Sequence, residues 1–380
     1  MYALIASSHP EEAFFFGRVA WFPQISEEDS MSLEALLHSI QPIDENARAA
    51  ARDRQDRLTK PPQALGRLEE LSIQLAGITG QALPRLIHKV ILTMAGDHGV
   101  VAEGVSAYPQ EVTEQMVLNF LSGGAAINVL ARHVGARVVV VDMGVAARFE
   151  PQPDLVDKKV ALGTQNMARG PAMSREQAVQ ALLGGAEVVD AEFAKGLDIL
   201  GVGEMGIANT TPSTAIAAVL TGIPVERLAG RGTGVDIAGL ERKIATVERA
   251  MKVNHPDPAN ALDVLAKVGG FEIGGMAGAM LAAAAHRCPV VIDGFISTAA
   301  ALIAVGLAPQ VKPYLVASHC SQERGHHLML EWLGLRPLFD LDLRLGEGTG
   351  AALGISLADA ACKILGEMAT FDEAGVSGKA

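Results

Sequence analysis

Residues 197–214 carry the sequence LDILGVGEMGIANTTPST, which decides the fold class. The first four residues form an apolar run that is typical of a buried strand. Glycines 201, 203 and 206, followed by the polar residues 209–214, predict a turn that leads into a helix. A strand that ends in a glycine turn and continues as a helix is the repeating unit of an α/β protein with a parallel sheet.

Apolar runs of the same kind recur along the chain, with helical patterns between most of them. They lack the alternation of apolar and polar residues that marks a half-exposed strand, so both faces of the sheet are expected to be covered. The predicted strands are VILTMAG (90–96), ARVVVVDMG (136–144), LDILGVG (197–203), PVVIDGF (289–295) and PYLVAS (313–318). We therefore expect an α/β fold: a doubly wound, mainly parallel sheet flanked by helices, with ligands at the carboxyl ends of the strands.

The two ends of the chain predict a second, smaller unit. Residues 32–85 have helical patterns and form a helical arm, and helices are expected again in residues 351–380. The two segments are expected to meet in a small helical domain beside an α/β catalytic domain of residues 86–350. Residues 1–31 hold six of the sixteen aromatic residues. We interpret them as an atypical N-terminal extension, for which disorder is one interpretation. The functional chain is expected to begin near Met31.

Composition excludes several classes of protein. Hydrophobic residues make up 49% of the 380 residues and charged ones 19%, so much of the chain is expected to be buried. The formal net charge of −12 argues against a nucleic-acid surface, which needs a clustered basic face. No uninterrupted apolar stretch has the length of a membrane span, and three widely spaced cysteines predict no disulfide framework. A soluble cytoplasmic protein without nucleic-acid or membrane partners is expected.

Three glycine-rich loops are candidates for binding a phosphorylated ligand. The first follows the predicted strand 197–203, the second is GRGTGVD (230–236), and the third is RLGEGTGAALG (344–354). Backbone N–H groups of such small residues can surround phosphate. Because Glu347 lies between glycines and before a predicted helix, it is either a carboxylate that does chemistry or a cap of that helix.

Neither a dinucleotide nor a metal is expected as a cofactor. The spacing GVGEMG (201–206) formally matches a dinucleotide fingerprint, with Glu226 as a candidate ribose ligand. This alternative is weak, because Glu204 would put a carboxylate where the pyrophosphate of a dinucleotide lies. The histidines and the cysteine within 319–327 lack a familiar ligand spacing and are interpreted as loop or core residues.

Five motifs taken together resemble one family, the nicotinate-nucleotide–dimethylbenzimidazole phosphoribosyltransferases. They are TKPPQALGRLEELSIQLAGI (59–78), MAGDHGVVAEGVSAYPQEVTEQMVLNFLSGGAAIN (94–128), GVGEMGIANTTPSTAIAAVLTG (201–222), GRGTGVD (230–236) and RLGEGTGAALG (344–354). The resemblance extends from about residue 33 to residue 376. It implies transfer of the phosphoribosyl group from nicotinate mononucleotide to a benzimidazole, giving nicotinate and α-ribazole 5′-phosphate for the lower ligand of cobalamin. It also implies a homodimer that uses no cofactor.

The resemblance further implies roles for individual residues. Glu347 is placed as the general base, which takes the N–H proton of the benzimidazole while the other ring nitrogen attacks C1′ with inversion. Glu204 resembles the second carboxylate of the family's active site. The implied ligands of the donor phosphate and ribose are Gly206, Asn209, Thr210, Thr211, Gly234, Lys243 and Ser321. The implied contacts of the flat acceptor base are Tyr108, Pro109, Gln115, Met116 and Leu345.

Alternatives remain for several of these residues and for the function. Lys243 alone fits a solvated helix residue better than a phosphate ligand, and the acceptor contacts fit packing residues equally well. Asp97 and His98 either belong to the site or order the loop after the first strand. The function has two alternatives: the same transfer to adenine or to a phenolic acceptor, and a non-catalytic nucleotide-binding protein.

Overall fold

A parallel sheet forms the centre of the protein. The computed structural model describes residues 32–232 and 234–377. Within those ranges the strands are β1 (Lys89–Gly96), β2 (Ala136–Gly144), β3 (Leu155–Asp157), β4 (Ile199–Met205), β5 (Val290–Ile292) and β6 (Leu315–Ala317). They pair in the order β3-β2-β1-β4-β5-β6, and each pair is parallel. The predicted doubly wound, parallel α/β fold is confirmed.

Helices connect the strands and cover the sheet. The first seven are α1 (Leu33–Ser39), α2 (Glu45–Arg57), α3 (Arg67–Thr79), α4 (Glu111–Leu121), α5 (Ala126–Val134), α6 (Arg175–Phe193) and α7 (Thr210–Thr221). The remaining eight are α8 (Val225–Leu228), α9 (Ile237–Asn254), α10 (Ala261–Val268), α11 (Phe271–Ala285), α12 (Phe295–Leu307), α13 (His326–Leu333), α14 (Thr349–Glu367) and α15 (Phe371–Ala374). Short 3-10 turns lie at Gly99–Glu103 and Pro309–Tyr314.

Small residues allow the helices to pack closely on the sheet. Helix α11 contacts β1, β2 and β4 and packs against α6, whereas α14 contacts β4 and β5 together with α3 and α5. A side chain at Gly185 of α6 would overlap the backbone of Gly275, and one at Gly278 would overlap the backbone of Leu182. The glycine- and alanine-rich stretch 274–285 is therefore a core helix, as its composition predicts.

The fourth strand is longer than the sequence suggests. We predicted that it ends at residue 203, but β4 continues to Met205, so Gly201 and Gly203 lie in the strand and only Gly206 begins the turn. A side chain at Gly203 would overlap the backbone of Glu347. This glycine therefore allows a loop to approach the strand, and it does not form the phosphate turn of a dinucleotide fold. The sequence analysis also missed β3, whose three residues give too short a pattern to recognise.

Helices near both ends of the described part of the chain pack on each other beside the sheet. Helix α14 contacts α2 and α3, and Nε of Arg54 donates to the carbonyl oxygen of Leu365 at 2.7 Å. Leu58 and Thr370 form an isolated antiparallel bridge. The domain boundaries near residues 85 and 350 stay a prediction, and the predicted extension 1–31 lies outside the described residues.

One helix of the described ranges, α14, is long and apolar enough to cross a membrane by length and composition alone. Of its most apolar stretch, 56% is buried inside the fold. A core helix of a soluble protein has the same properties, so α14 is weak evidence for a span.

Candidate active site

The carboxyl ends of β1 and β4 meet at the point where the strand order reverses. From β1 the chain winds outward to β2 and β3 on one side, and it returns to β4, β5 and β6 on the other. Ligands of open α/β sheets bind at such a switch point. Gly206 follows β4, and a side chain there would overlap the carbonyl oxygen of Gly96, so the two strand ends are in direct contact. Of the predicted site residues, Glu204, Gly206 and Glu347 lie around this position.

Glu347 is held in a strained loop beside the end of β4. Its φ angle is 64°, and those of Gly346 and Gly348 are 85° and 97°, so three consecutive residues are left-handed. Glutamate rarely adopts this conformation, which marks a backbone held by its surroundings. The amide of Glu347 donates to the carbonyl oxygen of Glu204 at 3.2 Å, and the hydroxyl of Thr93 donates to the carbonyl oxygen of Glu347 at 2.9 Å.

The side chain of Glu347 points to the start of α5 and not to its own helix. Oε2 accepts a hydrogen bond of 3.2 Å from the amide of Ile127, in the first turn of α5. The carboxylate is 5% exposed, and burial raises its pKa; the amide of Ile127 opposes this shift and the charge of Asp293 adds to it. A carboxylate with a raised pKa is a stronger base than a solvated one, and this suits proton abstraction.

Asp293 caps the helix that Glu347 precedes. Its carboxylate accepts hydrogen bonds from the amides of Gly348, Gly350 and Ala351 at 3.0, 2.6 and 3.2 Å. The interpretation of Glu347 as a cap of this helix is therefore wrong, because the first amides of α14 donate to the carboxylate of Asp293. The sequence analysis missed Asp293, although an acidic residue directly after the buried strand β5 could have indicated it.

Glu204 is a buried carboxyl group at the end of β4. It is 7% exposed, and Nδ2 of Asn209 donates to its Oε2. Burial is the main cause that raises the pKa of Glu204 to about 8; the hydrogen bond from Asn209 opposes the shift, and nearby carboxylates add to it. This side chain is therefore mostly protonated at neutral pH. A side chain at Gly346 would overlap Oε1 of Glu204, so the loop that carries Glu347 lies directly against it.

The predicted donor residues 206–211 form a turn and the start of α7, and we call them the donor turn. The amide of Ile207 donates to Oγ1 of Thr113 at 3.1 Å, which ties the donor turn to α4. Oγ1 of Thr211 is buried without a hydrogen-bond partner among the described residues. Oγ1 of Thr210 accepts from Nζ of Lys243 at 3.0 Å.

Lys243 is a buried residue, so its interpretation as a solvated helix residue is wrong. Only 1% of Lys243 is exposed, and Nζ also donates to the carbonyl oxygen of Gly230 at 3.1 Å. Burial lowers the pKa of Lys243 to about 8, although the carboxylate of Glu323 opposes the shift. The lysine joins the donor turn to the glycine loop of residues 230–234.

Gly234 and Ser321 are the two remaining predicted donor residues. Gly234 has a φ angle of 107° and lines a cleft of about 480 Å³ with three arginines that the sequence analysis missed: Arg231, Arg324 and Arg344. Ser321 is buried; its amide donates to Nδ1 of His326 at 2.7 Å, and its hydroxyl accepts from the amide of Glu323 at 3.3 Å. The three arginines favour an anion in this cleft, although the carboxyl group of Glu323 also lines it.

The predicted acceptor residues lie mainly on the surface. Tyr108 and Leu345 are 53% and 58% exposed, and Pro109 and Gln115 are exposed as well. Met116 is half-buried and packs against the core. Exposed large apolar side chains beside a polar site favour a binding surface over packing. Packing therefore accounts in part for Met116 and does not account for the exposed residues.

Asp97 orders loops at the end of β1. Its Oδ2 accepts from the amide of Ala146 at 2.8 Å, and its carbonyl oxygen accepts from the amide of Thr164 at 2.9 Å. His98 is buried against Glu272. The part of the chain that the structure describes contains no group of three or more His, Cys, Asp or Glu residues placed to hold a metal ion.

Comparisons with known proteins found one family model and several similar chains. A phosphoribosyltransferase family model matches residues 40–376. A nicotinate-nucleotide–dimethylbenzimidazole phosphoribosyltransferase of Roseiflexus sp. (strain RS-1) is 62% identical over 347 residues, covering 91% of this chain and 98% of the relative. The enzyme of the same name from Desulforudis audaxviator is 60% identical over 345 residues, covering 91% and 98%. A crystal structure with this name from Thermus thermophilus has 50% identity and a TM-score of 0.85, covering 89% of this chain and 100% of that chain.

Proposed function

Since this chain belongs to the nicotinate-nucleotide–dimethylbenzimidazole phosphoribosyltransferase family and is a phosphoribosyltransferase, we propose that it transfers the phosphoribosyl group of nicotinate mononucleotide to 5,6-dimethylbenzimidazole. The products are nicotinate and α-ribazole 5′-phosphate, which serves the assembly of the lower ligand of cobalamin. The family resemblance that the five sequence motifs predicted is confirmed.

The chemistry requires one base and no acid. The pyridinium nitrogen of the donor already carries positive charge, so nicotinate leaves as a neutral ring and its ring nitrogen needs no proton. One benzimidazole nitrogen attacks C1′ while the proton on the other nitrogen passes to the base. Attack on the face opposite the leaving nicotinate inverts the anomeric carbon from β to α. A glycosidase, by contrast, needs two carboxylates in separate roles.

Glu347 is the base in this proposal, and its environment is the observation that carries it. The carboxylate is buried, and burial is the main cause that raises its pKa. Glu347 does not serve as the cap of α14, because Asp293 caps that helix. One oxygen accepts from Ile127, which leaves the other oxygen to take a proton. The rigid left-handed loop fixes this oxygen in position, as general-base catalysis requires.

Glu204 is the second carboxyl group in the proposal. Because its pKa lies near 8, it presents a proton at neutral pH and can donate a hydrogen bond to the donor. A neutral carboxylic acid beside Glu347 also avoids placing two negative charges together.

The donor phosphate and ribose are assigned to the donor turn, Lys243 and the glycine loop of residues 230–234. Charge supports this assignment, because Lys243 lies 3.0 Å from Thr210 and the cleft beside it is lined by arginines. The unpaired hydroxyl of Thr211 is a further hydrogen-bonding group for the donor. Ser321 and Gly234 complete the proposed donor contacts.

The flat acceptor is assigned to the five predicted acceptor residues, four of which are exposed. Leu345 directly precedes Gly346, and Gln115 and Met116 lie on α4, which Thr113 joins to the donor turn. Tyr108 and Pro109 come just before α4. A cytoplasmic homodimer that acts without a cofactor completes the proposal.

The decisive experiment incubates the purified protein with nicotinate mononucleotide and 5,6-dimethylbenzimidazole, without added metal. Nicotinate and the riboside phosphate are followed by chromatography. The expected result is stoichiometric formation of both products, with little from the Glu347→Gln variant. Donor binding without turnover would instead favour a non-catalytic nucleotide-binding protein.

Competition separates the acceptors. Equal concentrations of 5,6-dimethylbenzimidazole, adenine and a phenol are offered together, and the products are quantified. We expect the benzimidazole product to dominate. A dominant adenine or phenol product would assign the same transfer to a different acceptor.

A further inference from the structure

A buried pair of ionisable side chains lies at the carboxyl end of β1, outside the residues assigned to the substrates. Nε2 of His98 is 2.8 Å from Oε1 of Glu272, and the two residues are 1% and 0% exposed. Glu272 lies in the first turn of α11, where the helix dipole favours a negative charge. Burying two ionisable groups is costly even when they pair, so this pair is not explained by stability alone.

Three glycines enclose the pair, and one of them belongs to the donor turn. A Cβ atom at Gly96 or at Gly270 would lie 2.8 Å from Oε2 of Glu272. A Cβ atom at Gly206 would lie 3.2 Å from Nε2 of His98. The imidazole therefore packs directly against the first residue of the donor turn.

The charge of Glu272 acts on Glu204. Burial is the largest cause of the raised pKa of Glu204, which lies near 8. Three carboxylates add to the shift: those of Asp293, Glu272 and Glu347. Glu272 differs from the other two because it is paired with a histidine, whose charge can offset its own.

His98 carries that offsetting charge. Burial alone would lower its pKa, but the carboxylates of Glu272 and Asp97 outweigh burial, so the pKa of His98 is raised above its usual value. Oε2 of Glu272 has no hydrogen-bond partner among the residues that the structure describes. The imidazolium is therefore the main compensation for the charge of Glu272.

We propose that His98 is a positioning residue for the transfer: its imidazolium supports Gly206 of the donor turn and offsets the charge of Glu272 beside Glu204. This inference rests on the proposed function, in which the donor turn and Glu204 meet the donor. His98 itself touches no substrate in the proposal.

The test measures the ionisation of Glu204 directly in four proteins: the native chain, His98→Gln, Glu272→Gln and the double variant. Glutamate labelled with ¹³C at Cδ reports carboxyl ionisation by NMR, and Glu204→Gln assigns the signal. Loss of the imidazolium in His98→Gln should raise the titration midpoint of Glu204 by about one pH unit. Glu272→Gln should leave this midpoint close to native, because it removes the carboxylate and also the main cause that keeps His98 charged. The double variant should titrate close to the native chain, since both charges are gone.

An upward shift in His98→Gln that is absent from Glu272→Gln and from the double variant is the result that a purely structural role does not produce. An upward shift in all three variants, or none in folded His98→Gln, would overturn the inference. Thermal unfolding identifies the folded variants. If His98→Gln does not fold, ¹⁵N NMR of the imidazole of the native chain decides: a charged ring at neutral pH supports the inference, and a neutral ring overturns it.

Kinetics test the support of the donor turn. In His98→Ala the donor KM should rise roughly tenfold while the acceptor KM stays near native, because the cavity left by the imidazole removes the packing support of Gly206. In His98→Gln the donor KM should lie between the value of His98→Ala and the native value. Equal increases of both KM values would contradict the assignment to the donor turn. A native chain without transfer activity would refute the proposed function but leave the NMR result interpretable.

Discussion

The amide of Glu347 donates a 3.2 Å hydrogen bond to the carbonyl oxygen of Glu204. This bond joins the end of β4 to the loop before α14, and it places the two proposed active-site carboxyl groups on one rigid unit. Gly203 allows the approach, since a side chain there would overlap Glu347. The geometry of this unit leads to the following predictions.

Replacement of the base should affect turnover and not donor binding. Glu347→Gln keeps the shape of the side chain but cannot accept the proton, so kcat should fall by roughly 10²–10⁴. The donor dissociation constant should stay near native. Steady-state kinetics and calorimetric titration with nicotinate mononucleotide measure the two quantities. Glu331→Gln, on the exposed face of α13, is the matched control; a near-native kcat in Glu347→Gln would remove this residue from the mechanism.

Loss of the buried lysine should weaken donor binding. Lys243→Met keeps most of the volume and removes the charge, so the donor KM should rise roughly 10- to 100-fold, the effect of about 1.5–3 kcal/mol from a hydrogen bond to a charged group. Lys252→Met, at the exposed end of the same helix, should leave the donor KM unchanged. Equal KM values for the two variants would contradict the assignment of Lys243 to the phosphate.

Donor affinity should decrease at alkaline pH. The pKa of Lys243 is lowered to about 8 by burial, so the free enzyme loses this positive charge as the pH rises through 8. The kcat/KM for the donor should therefore decline above about pH 8, because this quantity reports the free enzyme. Any decline of kcat that depends on this lysine should lie at higher pH, because the bound phosphate favours the charged form. The pH profile of Lys243→Met should lack this decline. If the variant retains it, another group is responsible.

Removal of the charge of Asp293 should extend activity to lower pH. Asp293 contributes to the raised pKa of Glu347, so Asp293→Asn should lower this pKa and shift the acidic limb of kcat to lower pH. The variant should also lose stability, by about 0.5–2 kcal/mol, because the cap of α14 is weakened. Asp372→Asn, on the exposed helix α15, should change neither quantity. An acidic limb that moves to higher pH would contradict the prediction.

A methyl group on the fourth strand should displace the loop that carries Glu347. Gly203→Ala places Cβ against the backbone of Glu347 and Gly348, which cannot move as a flexible side chain would. We expect a lower free energy of unfolding and a lower kcat. Gly366→Ala, in α14 with open space around it, should be neutral or stabilising by about 0.5–1 kcal/mol. Denaturant unfolding of both variants measures the contrast, and equal stabilities would show that the loop is not held by this approach.

Local patterns predicted the strands well where they were long. The second strand occupies the predicted residues 136–144, because nine consecutive residues carry the apolar signal. The predicted end of the fourth strand was wrong, because glycine is typical of turns and is also required wherever another backbone approaches a strand. The sequence around Gly203 looks the same whether the glycine forms a turn or lies in a strand that another backbone approaches.

The sequence by itself determined the parallel α/β architecture, the family and the positions of the glycine loops, because these depend on neighbouring residues. Only the tertiary structure decided the environment of each side chain. Glu347 bonds to Ile127 across 220 residues, Asp293 reaches Gly348 across 55, and Lys243 reaches Thr210 across 33. Burial, the cap of α14 and the protonation of Glu204 follow from these distant contacts, and a local pattern contains no information about which distant segment will fill the space.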